Sequence, residues 1–267
     1  MKNLDTRLSF ALGLVLAAGG LASAQDRQPV SGVTGTAPQG DSRVEVGLAF
    51  AQTLGSTTFS GTQTIKDYAE DGTLKSSYDV GGAPGGAFDL QYNLSGRFGV
   101  RAGFQTSSRK STGTFSAQVP HPFFFNKARS VSGTQADMGF SESAISLTAV
   151  YRGGSGKWKV NLEGGAAFFQ VNATVAERLT LGETYPYDTL LFSGVTSSKH
   201  KVSPIGFAVG LEVGREVSKS AAVVVEGRFS QGSGDLDVNG QKMSVKAGGG
   251  QVRIGLRLTL ARRKAGA

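Results

Sequence analysis

Two histidines occur in the chain, His121 and His200, and both fall in long polar stretches between hydrophobic segments. A nucleophile–base pair would need a serine and an acid arranged around one of them. Neither has such a partner at a recognisable spacing, so a solvated loop histidine is the ordinary account and no catalytic residue is assigned. Asp235-Leu236-Asp237-Val238-Asn239-Gly240 places oxygen ligands at alternate positions, as the opening of a calcium loop does. The twelfth position of that loop would be Lys246 instead of glutamate, and Asn-Gly suits the tip of a type I′ hairpin. A turn is the favoured reading, with Asp235, Asp237 and Asn239 kept as a weak calcium candidate. No other metal site and no cofactor is expected. Pro120-His121-Pro122-Phe123-Phe124-Phe125 is a conspicuously apolar loop stretch. It reads either as a surface contact made by His121, Phe123, Phe124 and Phe125, or as a lid folded over the mouth of the molecule.

A larger set of charges sits among apolar residues with a period of two: Glu45, Asp89, Arg101, Lys159, Glu163, Glu212, Glu226, Arg228, Arg253 and Arg257. That period is the signature of strands with one apolar and one polar face. Val44, Val46, Leu48 and Phe50 alternate with Glu45 and Gly47; Val252, Ile254, Leu256 and Leu258 alternate with Arg253 and Arg257. Further segments of this kind lie around Phe88–Leu94, Phe98–Phe104, Ile145–Tyr151, Trp158–Phe168, Ile205–Val213 and Ala221–Phe229. Eight strands result, each near the length that crosses a bilayer at a tilt. Short turns follow the second, fourth and sixth, and long polar stretches follow the first, third, fifth and seventh. An even-stranded antiparallel barrel with both ends in the periplasm sorts its connections in this way.

The expected fold is therefore all-β: an eight-stranded, antiparallel, up-and-down transmembrane β-barrel with short periplasmic turns and four long extracellular loops. Its bulky residues face lipid and its charges face a narrow lumen, where each must find a partner. Closure of the first strand on the last suggests Glu45 beside Arg257, and the seventh and eighth suggest Glu226 beside Arg253. Such a lumen is either a plugged structural network or a gated ion path, and eight strands leave room for little beyond side chains. Tyr92, Phe98, Tyr151 and Trp158 near the short turns, and Phe50, Phe88, Phe104, Phe168, Phe207 and Phe229 near the long loops, would form two interfacial aromatic girdles.

The remaining chain is consistent with export. Residues 1–24 read as a signal peptide, with Lys2 and Arg7 ahead of an apolar run and Ala22-Ser23-Ala24 at the cleavage site. Residues 25–42 read as a flexible periplasmic leader, 43–260 as the barrel, and 261–267 as a basic tail. Cysteine is absent, so neither disulfides nor thiol chemistry contribute. The whole chain carries +8, and the signal accounts for one of these charges, leaving +7. For an exported protein that balance suits anionic lipopolysaccharide better than nucleic acid.

The pattern from Arg43 to Leu260, with Gly250-Gln251-Val252-Arg253-Ile254-Gly255-Leu256-Arg257-Leu258 as a closing strand, resembles the small eight-stranded outer-membrane barrels of the OmpA transmembrane domain, OmpX and opacity-protein type. Members usually end on an aromatic residue, whereas here the strand stops at Leu260 and Arg262, Arg263 and Lys264 follow. The resemblance implies a monomer in the bacterial outer membrane, in contact with membrane lipid and lipopolysaccharide, whose loops meet an extracellular macromolecule. The expected role is non-enzymatic, structural or surface-interactive. The alternatives are an outer-membrane lipid-modifying enzyme and a soluble periplasmic barrel binding an apolar ligand.

Overall fold

The computed structural model describes Val44 to Leu260. The expected signal peptide, leader and basic tail lie outside the described residues. Eleven strands follow in order: β1 (Val44–Leu54), β2 (Thr57–Asp67), β3 (Glu70–Val80), β4 (Pro84–Asn93), β5 (Phe98–Pro120), β6 (Ala128–Ser155), β7 (Trp158–Glu183), β8 (Leu190–Val202), β9 (Ile205–Glu216), β10 (Ala221–Val238) and β11 (Gln241–Leu260).

Eight of these close a ring. β1 pairs with β4, then β5, β6, β7, β9, β10 and β11 follow, and β11 returns to β1 with Val44 opposite Leu260 and Leu54 opposite Gly250. Every pairing is antiparallel. The remaining strands lie outside the ring: the β2–β3 hairpin docks through β3 on the upper half of β5, and β8 docks on the upper half of β7.

The outer face of the ring carries an apolar belt. Leu48, Phe50, Phe88, Leu90, Phe104, Ile145, Leu147, Leu162, Phe168, Phe207, Leu211, Val225, Ile254 and Leu256 are all exposed. Tyr92, Phe98, Tyr151 and Trp158 rim one edge and Phe50, Phe88, Phe104, Phe168, Phe207 and Phe229 the other. A continuous exposed belt of this size around a hydrogen-bonded ring requires lipid, because backbone polarity is satisfied within the wall and the side chains find no other cover. The soluble alternative, which needed Val252, Ile254, Leu256 and Leu258 packed around an oily centre, is thereby excluded.

The long connections depart from expectation. Most of that chain continues the strands well above the belt, so β5, β6 and β7 reach 23, 28 and 26 residues. Its period of two continues, shifted at a bulge on β6 beside Ser111 and Gly113 and at bulges in the β7–β8 ladder after Ala176 and Thr180, and the polarity of the two faces is exchanged. On β5, Phe98, Val100 and Phe104 point outward and Arg101 and Gln105 inward; higher up, Thr112, Thr114 and Ser116 point outward and Phe115, Ala117 and Val119 inward. β10 and β11 do the same, with Leu236, Val238, Met243 and Val245 buried above Glu226, Arg228, Arg253 and Arg257. Water outside the upper wall demands polar side chains there, and the interior above the bilayer becomes an ordinary apolar core. Tyr78, Phe59, Phe115 and Phe140 fill that core with stacked and edge-on rings.

Arginine at Leu256, in the middle of the belt, should destabilise the folded barrel in lipid vesicles by about 2–4 kcal/mol, whereas arginine at the outward Ser244, above the belt, should change it little. Urea unfolding in vesicles, followed by Trp158 fluorescence, measures both.

Candidate functional site

The lumen at belt height is packed with ions. Arg101 is central: its Nη1 lies 3.0 Å from Glu163, its Nη2 3.4 Å from Glu212 and its Nε 3.7 Å from Asp89, while Nη2 donates to Gln91 Oε1 at 2.7 Å. Arg257 pairs with Asp89 at 2.8 Å and with Glu212. Arg228 pairs with Glu163, and Arg253 lies 3.4 Å from Glu226 and donates to Gln105. Neutral amides fill the remaining valences: Asn161 Nδ2 donates to Glu212 at 2.7 Å and Asn93 Nδ2 to Glu45 at 3.2 Å.

Two residues sit elsewhere than anticipated. Glu45 meets Arg152 at 3.2 Å and not Arg257, because Arg257 stands opposite Gly47 and reaches past it to Asp89. A Cβ at Gly47 would strike the Asp89 carboxylate, so that close approach needs the glycine. Lys159 does not join the network; it pairs with Glu216 at 3.0 Å near the short-turn end. Arg152 was missed from the sequence, although extending the inward parity of Thr148 and Val150 by one step on β6 finds it. Five carboxylates thus face five guanidiniums, with the apolar core stacked above.

Between ionic layer and apolar core lies a further pair, Arg109 and Glu142, at 3.4 Å. The outward neighbours Thr106, Ser108, Ser141 and Ser143 place it above the belt. Burial pushes the Glu142 carboxyl above its usual range, against a hydrogen bond from Gly248 N and the Arg109 charge.

On the upper wall, Ser198 Oγ lies 2.7 Å from His200 Nε2 and donates to Glu177 Oε1. The Glu177 carboxylate approaches the same imidazole nitrogen, at 3.3 Å. A hydrolytic triad instead places the acid on Nδ1, so that Nε2 is free to take the serine proton. Asp237 Oδ1 accepts from Gly240 N at 2.9 Å, and Asn239 and Gly240 take positive φ of 53° and 77°. Asn239 turns its Nδ2 toward Glu177 O and Gln63 Oε1. These contacts are those of a hairpin tip, the favoured reading of this segment; among the described residues no group of three or more acids and histidines is placed to hold a metal.

At the far end three turns are tied together. Asn126 N donates to Glu70, Tyr68 OH to Glu183 at 2.8 Å, and Arg129 to Glu183, Tyr187 O and Pro120 O; Lys127 pairs with Asp188 at 3.1 Å. The Lys127 bond holds the Asp188 carboxyl below its ordinary value, and acceptance by Glu183 raises the Tyr68 phenol. His121 is buried beneath this frame, its Nδ1 accepting from Phe123 N, and is therefore not a surface contact. Phe123, Phe124 and Phe125 point into solvent; the mouth is filled by the core below, so they form no lid.

Closed ring, ionic lumen and apolar belt together define the molecule. It is a transmembrane β-barrel. No protein-family model and no curated protein matches the sequence. Among solved structures it is similar to Neisserial surface protein A at 11% identity and TM-score 0.41, covering 81% of this chain and 97% of that one. It is similar to the attachment invasion locus protein Ail of Yersinia pestis at 10% and 0.39, covering 82% and 99%. It is also similar to the outer membrane protease OmpT of Escherichia coli at 12% and 0.46, covering 82% and 97%.

Replacing Arg101 with alanine strands several buried carboxylates and should cost about 3–5 kcal/mol in urea unfolding. For Glu142, a folded-state pKa above the unfolded one means its contribution is complete below the unfolded carboxylate range and is lost as pH rises through the folded value. Glu142→Gln should accordingly flatten that decline in a series of unfolding midpoints from acid to neutral pH.

Proposed function

We propose that the protein is a non-enzymatic outer-membrane barrel that holds an aromatic platform clear of the lipid surface for contact with an extracellular macromolecule. The observation that carries this is the exposure of Phe123, Phe125 and Tyr185, at 69%, 78% and 81%, on turns tied by hydrogen bonds from the buried Arg129. Phe124 lies over His121 with Lys127 above its ring, and Phe123 and Tyr185 each stand edge-on to Tyr187. Exposed apolar patches on a soluble-facing surface mark interaction sites, and rigid aromatic anchors dominate binding energies because little entropy is lost on docking. A cleft of about 560 Å³ opens nearby, lined by Ile65, Tyr68, Val119, Leu179 and Leu181 with Arg178 at its side.

The Ser198–His200 contact favours a second reading, hydrolysis at Ser198. The position of Glu177 on the shared nitrogen counts against it, since nothing then orients the imidazole as a base. An acyl-chain release assay on lipopolysaccharide vesicles decides: on the leading reading wild type and His200→Ala release equally little.

Cells displaying wild type should be retained on extracellular-matrix-coated surfaces severalfold better than cells displaying F123S/F124S/F125S at equal surface density. Equal retention of the two would defeat the platform reading.

A further inference from the structure

The turn between β5 and β6 is closed by two backbone bonds: His121 N donates to Lys127 O at 2.9 Å and Lys127 N to Phe124 O at 3.3 Å. Neither reaches Phe123. Its amide is held by a side chain instead, Phe123 N donating to His121 Nδ1 at 3.1 Å. The imidazole is therefore the strut of the Phe123-Phe124-Phe125 segment, and Phe124 lies against it with ring centroids 4.8 Å apart.

That bond fixes the protonation state of the ring. A nitrogen that accepts carries no proton, so His121 is neutral and bears its proton on Nε2. The His121 side chain is 0% exposed, and Nε2 has no hydrogen-bond partner among the described residues. Asp188 Oδ1, on the β7–β8 turn, stands 3.6 Å from it and is engaged by Lys127 Nζ at 3.1 Å. The Lys127 bond holds the Asp188 carboxyl below its ordinary value, so it stays ionised where a histidine titrates. Of the other charges around the turn, Arg129 of β6 donates to Pro120 O, Tyr187 O and Glu183, and Glu70 of the β2–β3 turn accepts from Asn126 N. Burial and the cations Lys127 and Arg129 oppose a second proton on the ring, and Asp188 favours it.

We propose that His121 is an acid-sensitive latch for the aromatic platform. A second proton, taken from solvent, can go only to Nδ1, where it meets Phe123 N–H donor to donor; gaining the charge and losing the strut are one step. The imidazolium is then drawn to Asp188 in competition with Lys127. Phe123, Phe124 and Phe125 are thus held while the ring is neutral and released on acidification. The regulatory meaning rests on the platform reading, whereas the release itself is measured with no partner present.

The full-length barrel in an uncharged maltoside detergent tests this at about pH 7.5 and about pH 5.5, on either side of the histidine range. Imidazole ¹⁵N NMR, with His200→Gln separating the two rings, should show His121 with its proton on Nε2 at the higher pH and doubly protonated at the lower. Hydrogen exchange of a peptide spanning Phe123 to Asn126, corrected for the intrinsic effect of pH, should be about fivefold or more faster at the lower pH, the scale of one lost hydrogen bond. Asparagine offers an acceptor to the amide two residues ahead and does not titrate, so His121→Asn should exchange slowly at both pH values. His121→Leu, with no acceptor, should exchange fast at both. A proton on Nδ1 at the higher pH, a ring still neutral at the lower, unchanged wild-type exchange, or an acid response in H121N equal to that of wild type overturns the proposal. Should exchange respond to acid as expected while the triple-serine protein is retained on matrix like wild type, the latch stands and the platform reading alone falls.

Discussion

A wall crossing hydrocarbon has no water to satisfy its backbone, so the ladder from β1 to β11 must close. Closure imposes the rest. Once the ring is shut at eight strands, alternate side chains are divided between lipid and a space just wide enough for side chains, and no third environment exists. The charges at belt height consequently lie within reach of one another, and Arg101 gathers Asp89, Glu163 and Glu212 from three other strands. The balance of five acids and five bases follows from the same constraint, because an unpaired charge there costs several kcal/mol.

The exchange of faces above the belt is the second consequence. A strand cannot change its parity without a bulge, so when the outer solvent turns from lipid to water the residue types must change while the alternation persists. β5 does this between Phe104 and Phe115, and the Arg109–Glu142 pair occupies the level where neither environment holds. The strands can then lose their full complement of neighbours, since water satisfies an open edge. The seam beside β2 and the edge of β8 are tolerated only there.

The lumen holds paired ions below and aromatic rings above, and the tied turns lie at its far end. The bonds of Arg129 join two turns, and Asn126–Glu70 with Tyr68–Glu183 tie on the third, which holds the backbone beneath the exposed aromatic side chains.

Strand alternation from Val44 to Phe50 and from Val252 to Leu258 was sufficient for the ring, its closure and the outward direction of the bulky residues, because lipid-facing and lumen-facing positions differ by one step. Short turns against long connections likewise distinguished the two ends of the ring. The upper wall was present in the same sequence, in the alternation of Phe115, Ala117 and Val119, but strong outward polarity there reads as loop unless the exchange of solvent is considered. What no pattern along the chain could decide is partnership across the lumen. Glu45 lies next to Arg257 in the closing pair of strands, yet the reach of an arginine across a space left by Gly47 carries Arg257 to Asp89, and Arg152 comes 107 residues along the chain to take Glu45. Parity names the face; only the closed ring brings four strands to one point, and there the geometry of long side chains, not their order in the sequence, selects the pairs.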